Sequence, residues 1–199
     1  MTNKPPKPSA PIGFANFGKD DSVSIIKESL PADKDELELV VADKFIEALN
    51  SRFGRVLNPL EHGDEWPDFW TAEGNTRIAL EVVEVIDPEY VKSGLAHKQP
   101  RWVPVDYPAT LLAKTVESKV KKRYPKLTDA KLWLLAYENS GALAGDLAKA
   151  AEVANTYCKS IAGGGFDEIW VAWPMAEDVP AFVESVWPNT QYSSTARKA

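Results

Sequence analysis

The sequence predicts an α/β domain with a mixed central sheet flanked by helices. Three observations predict it. From residue 33 onward, apolar runs of strand length alternate with stretches of helical periodicity. The predicted order is α-β-β-β-α-β-α-β, an antiparallel strand group followed by helix–strand crossover units. The chain has 199 residues, 44% of them hydrophobic, which suffices for one domain with a substantial core.

Taken in order, residues 1–30 read as a flexible N-terminal tail. Pro5, Pro6, Pro8 and Pro11 crowd it and its apolar periodicity is weak, although Ser22–Leu30 has the length for one helical turn or an edge pairing. Residues 31–190 read as the single domain and 191–199 as a C-terminal tail. Asp33 is the expected N-cap of a first helix, with Asp35 and Glu36 where the helix dipole favours negative charge. Leu37, Val41, Phe45 and Leu49 form its apolar stripe, and Gly54 follows as a helix-ending residue. Arg55–Leu60 reads as an edge strand, given Pro59.

Two strands follow, at about 67–72 and 76–86, joined through Gly74-Asn75, residues that tolerate positive φ. Residues 87–105 form a long connection carrying Lys92, His97, Lys98, Arg101 and Trp102, a mix suited to a polar ligand. A helix is expected over 107–124, ended by Pro125. Lys131–Tyr137 reads as a buried strand and Leu143–Ile161 as an Ala-rich amphipathic helix closed by Gly163-Gly164-Gly165. Glu168–Trp173 gives another strand, and Val179–Val186 is expected as a short final helix. No internal repeat is present.

Composition excludes several function classes. No apolar run reaches the roughly 18 residues needed to span a bilayer. The N-terminus lacks an apolar signal region, and the single cysteine, Cys158, rules out an internal disulfide or a Cys-rich zinc site. A cytoplasmic location is the expectation. A net charge of -6 argues against a protein that coats nucleic acid non-specifically. It leaves room for a local basic patch, and Lys114, Lys119, Lys121, Lys122, Arg123 and Lys126 supply one, with a solvated helix face as the plainer reading.

The chemistry is expected in the hairpin. Asp68 lies within a strand-like segment, although aspartate is disfavoured in strands. Glu81 sits in Ala79-Leu80-Glu81-Val82-Val83, where a buried carboxylate is costly unless paired. Side chains alternate along a strand, so Ala79, Glu81 and Val83 share one face and Leu80, Val82 and Glu84 the other. In a suitable register Asp68 faces Glu81. Two carboxylates with a backbone carbonyl make an oxygen site for Mg²⁺. The competing reading has Asp68 opening a turn and Glu81 on a solvated sheet face. Gly163–Gly165 is no phosphate loop, because it follows a helix and precedes a strand. His62 reads as a loop histidine and Cys158 as core. Trp66 and Trp70 flank Asp68 and read as core, or as walls for a stacked base.

Pro67-Asp68, then Glu81-Val82-Val83 after a short hairpin, resembles the PD-(D/E)XK nuclease superfamily. The element order is similar to that superfamily's restriction-endonuclease-like α-β-β-β-α-β core. More narrowly, Pro67-Asp68-Phe69, Leu80–Glu84 and the helix with Lys119 ahead of Lys122-Arg123-Tyr124 resemble uncharacterised bacterial proteins placed there. The likeness covers about residues 34–138.

The resemblance implies a Mg²⁺- or Mn²⁺-dependent endonuclease, acting on DNA before RNA. Asp68, Glu81 and the Val82 carbonyl would hold the metal. The family pattern places a lysine where this chain has Val83, and Lys119, near the apolar face of the following helix, is the candidate replacement. Its plainer role is to snorkel along the sheet into solvent. Glu38 and Glu84 are candidate accessory acids, both more simply read as surface residues. Lys121, Lys122, Arg123 and Arg101 are candidate nucleic-acid contacts. A homodimer is compatible with the sequence. The alternative function is a catalytically inactive nuclease-fold protein that binds protein or nucleic acid.

Overall fold

A computed structural model describes residues 11–17, 23–29, 31, 33–86, 107–122, 124–138, 147–173 and 181–188. The elements are β1 (Pro11–Phe17), β2 (Val23–Ser29), α1 (Lys34–Arg52), β3 (Glu61–His62), β4 (Phe69–Glu73), β5 (Thr76–Glu84), α2 (Tyr107–Val120), β6 (Ala130–Tyr137), α3 (Leu147–Ser160), β7 (Glu168–Trp173) and β8 (Phe182–Trp187). Within the stretch expected as a tail, β1 and β2 pair antiparallel as a separate two-stranded sheet.

The main sheet has six strands in the order β3-β4-β5-β6-β7-β8. β3, β4 and β5 are antiparallel, β5, β6 and β7 are parallel, and β8 returns antiparallel. The α/β class with a mixed sheet is as expected. β5, β6 and β7 are parallel and follow in order across the sheet, so two right-handed crossovers put α2 and α3 together on one face. α1 covers the other face.

Local chemistry sets these elements. Asp33 Oδ1 accepts from the Asp35 and Glu36 backbone N–H groups at 2.9 and 3.1 Å, capping α1. Gly54, at φ 64°, lets the chain turn back so that the Arg55 N–H reaches the Leu49 carbonyl at 3.3 Å. One core layer packs Val41, Phe45 and Leu49 of α1 against Leu80, Trp133, Leu135 and Trp170. The other packs Leu112 and Val116 of α2 and Ala154 and Cys158 of α3 against Ala79, Leu134, Ile169 and Val171. Burial pushes the Cys158 thiol up to about 11, as befits a core residue.

The helix expected over 107–124 ends at Val120, and two further expected elements differ. The final helix at 179–186 is instead β8, a strand over residues 182–187. β7 offers an edge of unpaired backbone groups, and an extended segment satisfies them where a helix of two turns would not. Val183 is buried toward α1 and Val186 toward α3, so the segment serves both core layers. Arg55–Leu60 is not a regular strand. It makes one bridge, Leu57 to Glu73, before the two-residue β3.

The Asn50 side chain brackets Leu57, accepting from its N–H at 2.8 Å and donating to its carbonyl at 3.1 Å. Arg55 turns inward over the Trp133 ring, 4.4 Å from its centroid, and joins Glu73 at 2.6 Å to Glu168 at 2.7 Å. Among the described residues no helix is long and apolar enough to cross a membrane.

Candidate active site between strand β4, strand β5 and helix α2

The hairpin sets the first two residues. The turn at Gly74-Asn75 fixes the β4–β5 register, which pairs Phe69 with Leu80. One further step places Asp68 opposite Glu81. The backbone of Asp68 is held from the other side, where its carbonyl accepts from the Gly63 N–H at 3.1 Å. Gly63 is required by space: a Cβ there would stand 1.7 Å from the Pro67 carbonyl oxygen.

Regular pairing of β4 with β5 stops at Leu80, so the next β5 groups on that edge are open. The Val82 N–H uses this opening to donate to Asp68 Oδ2 at 2.7 Å. The Val82 carbonyl lies on the same edge, because N–H and C=O of one strand residue point the same way.

α2 brings the third. Leu112, Val116 and Lys119 follow at spacings of four and three, so the lysine continues the buried stripe of the helix. Its ammonium lies 2.7 Å from Glu81 Oε1 and 3.4 Å from the Val82 carbonyl. The two side chains are only 12% and 8% exposed. The position is fixed from behind by Gly164, at φ 62°, where a Cβ would stand 2.3 Å from Val120 Cγ1. The triple glycine therefore closes α3 as expected and also admits the end of α2.

Burial pushes the Asp68 carboxyl above its ordinary value. The Val82 hydrogen bond opposes this, Glu81's negative charge adds to it, and Lys119 and Lys34 oppose it more weakly. Glu38 is 5% exposed and paired with Lys34 at 3.2 Å. Burial raises its carboxyl too, against the pull of Lys34, and the charges of Asp68 and Lys119 also act on it. α1 thus delivers Glu38 to the margin of the cluster.

Glu84 is half-buried on the opposite face from Glu81, across from Tyr137, and does not join the cluster. Lys121 is 71% exposed and paired with Glu117 at 2.6 Å, and Lys122 is exposed. Arg101 and Arg123 lie outside the described residues, as does the expected connection 87–105. His62 is exposed on β3 beside Phe69.

Sequence reasoning missed two members. Tyr124 donates its hydroxyl to Glu81 Oε1 at 3.2 Å. Lys34 was signalled only by its spacing of four from Glu38, and its charge reaches Asp68.

The donor set fits a hard cation. Asp68, Glu81 and the Val82 carbonyl offer oxygen only, which suits Mg²⁺ or Mn²⁺ completed by water. Among the described residues no three His, Cys, Asp or Glu side chains gather closely enough to hold an ion by themselves. The carbonyl and water ligands would therefore be needed. No family model, curated protein or solved structure matches the chain, so its own residues carry the functional reading.

Proposed function

We propose that this protein is a metal-dependent nuclease of the PD-(D/E)XK type that hydrolyses phosphodiester bonds, with DNA the first substrate to test. The observation that supports it most is Lys119. A helix distant in sequence from the hairpin carries its ammonium to 2.7 Å from Glu81, which supports Lys119 as the replacement for the lysine that Val83 lacks.

Asp68, Glu81 and the Val82 carbonyl would hold Mg²⁺ or Mn²⁺. When bound, the ion acts as a Lewis acid and offsets charge on the phosphate. The chain's own residues do the rest. Lys119, with three N–H donors and its ammonium held at Glu81, would orient the attacking water and face the charge that builds on the phosphate oxygens. The water gives up a proton to solvent as its oxygen bonds to phosphorus, the bond to the leaving oxygen breaks, and that oxygen takes a proton from solvent. Lys122 is an exposed cation available for a flanking phosphate, and Lys34, although exposed, is paired with Glu38.

Labelled single- and double-stranded DNA and RNA, with Mg²⁺ or Mn²⁺ and with a chelator, test the reading. Cleavage is expected with metal only, falling at least about 100-fold in Glu81→Ala. No cleavage of any substrate with either metal would overturn it and favour a binding module that keeps the fold.

A further inference from the structure

Tyr124 is the member of the cluster to which the proposed chemistry gives no task. It stands just past the end of α2, ahead of Pro125, yet its hydroxyl reaches Glu81 Oε1, the oxygen that also receives the Lys119 ammonium. Its ring is gripped by two other parts of the chain. Trp66, from the loop before β4, lies 6.0 Å away at an interplanar angle of 32°. Phe166, just before β7, meets it nearly edge-on at 5.2 Å and 65°. A phenol is protonated at neutral pH, so the hydroxyl is a donor there.

A carboxylate with one donor turns more freely as that donor's hold weakens. Lys119 has three N–H donors to divide between Glu81, the Val82 carbonyl and a water or phosphate, so its hold on Glu81 weakens as it turns to the substrate. Among the described residues, Tyr124 is the only other donor to Glu81, and Oε2 has no hydrogen bond. We propose that Tyr124 is a positioning residue: its hydroxyl pins Glu81 Oε1, so that Oε2 stays presented for a divalent cation while Lys119 turns to the substrate. The inference rests on the metal-dependent reading of the same site.

Tyr124→Phe removes the hydroxyl and keeps the ring between Trp66 and Phe166. Calorimetric Mn²⁺ titration of the full chain is the test, on wild type, Tyr124→Phe and Asp68→Ala, with each variant's unfolding midpoint measured alongside. Wild type is expected to bind, and Asp68→Ala to lose binding. Tyr124→Phe should bind about tenfold more weakly, as expected for losing a hydrogen bond to a charged group, while a cooperative unfolding transition shows that the variant is folded.

A merely structural tyrosine would move the midpoint and leave the affinity unchanged. Equal Mn²⁺ affinity in wild type and Tyr124→Phe would overturn the positioning role and leave the metal reading standing. No Mn²⁺ binding by wild type would overturn both.

Discussion

Replacing Lys119 with methionine separates its charge from its packing, because methionine keeps an apolar stem along the helix. Glu81 would then stay buried, 8% exposed at its side chain, with the Tyr124 hydroxyl as its remaining donor. Removing one partner of a buried ion pair costs about 3–5 kcal/mol. The surviving tyrosine bond places Lys119→Met at the lower end, about 3 kcal/mol. That is a large share of the roughly 5–15 kcal/mol that holds a domain folded.

Glu81→Gln should cost less, because a neutral amide leaves no buried charge and its oxygen still accepts from Tyr124. In urea denaturation of wild type, both single variants and the double variant, the double should therefore lose less than the sum. The expected coupling is about 2 kcal/mol. A coupling below about 0.5 kcal/mol, the range of exposed pairs, would refute the claim that Lys119 is committed to Glu81.

Three further outcomes follow from the same contacts. Gly164→Ala places a side chain against Val120 at a positive φ, so thermal unfolding should show a loss of about 1–3 kcal/mol. Asp68→Asn keeps an acceptor for the Val82 N–H and removes a charge that burial disfavours. The raised Asp68 carboxyl contributes stability below its unfolded value of 3.8 that is lost as pH rises through its folded value. The asparagine variant should thus melt higher than wild type at neutral pH while losing Mn²⁺ binding. Glu73 has the opposite sign. The Arg55 hydrogen bonds hold its carboxyl below the ordinary value, so its contribution is intact above about pH 4.5 and lost as pH falls through the folded value. Arg55→Met should flatten that acid limb in a series of melts across pH.

Much of this arrangement was legible before any coordinates. Asp33 and Gly54 bound α1 because caps act on neighbours within one turn. Gly74-Asn75 marked the hairpin, whose register carries Asp68 to the side of β5, while the Gly63 and Val82 N–H groups that hold it there are contacts only the fold reveals. Lys119 was reachable because helical spacing ties it to Leu112 and Val116.

Tyr124 was not reachable in the same way. The helix expected through residue 124 ends at Val120, so helical spacing does not set the direction of the tyrosine ring, and its partner is 43 positions away. β8 was hidden for a related reason: a six-residue segment takes its shape from the open edge of β7, which is a tertiary fact. Arg55–Leu60 had the composition of a strand, but Arg55 has better partners in Glu73 and Glu168 than any ladder would give it. Glu84 shows the limit of composition: it stands three residues from Glu81, and strand alternation sends it to the other face.

The central claim is that Asp68, Glu81 and Lys119 are gathered to hydrolyse a phosphodiester with the help of a divalent ion. The most direct measurement is a cleavage time course on supercoiled plasmid and single-stranded DNA, with Mg²⁺ and with a chelator, comparing wild type with the folded Asp68→Asn variant. The account predicts cleavage by wild type only with Mg²⁺, and none by Asp68→Asn in either condition. Cleavage that survives in Asp68→Asn, or a wild type that leaves both substrates intact with Mg²⁺, would contradict it.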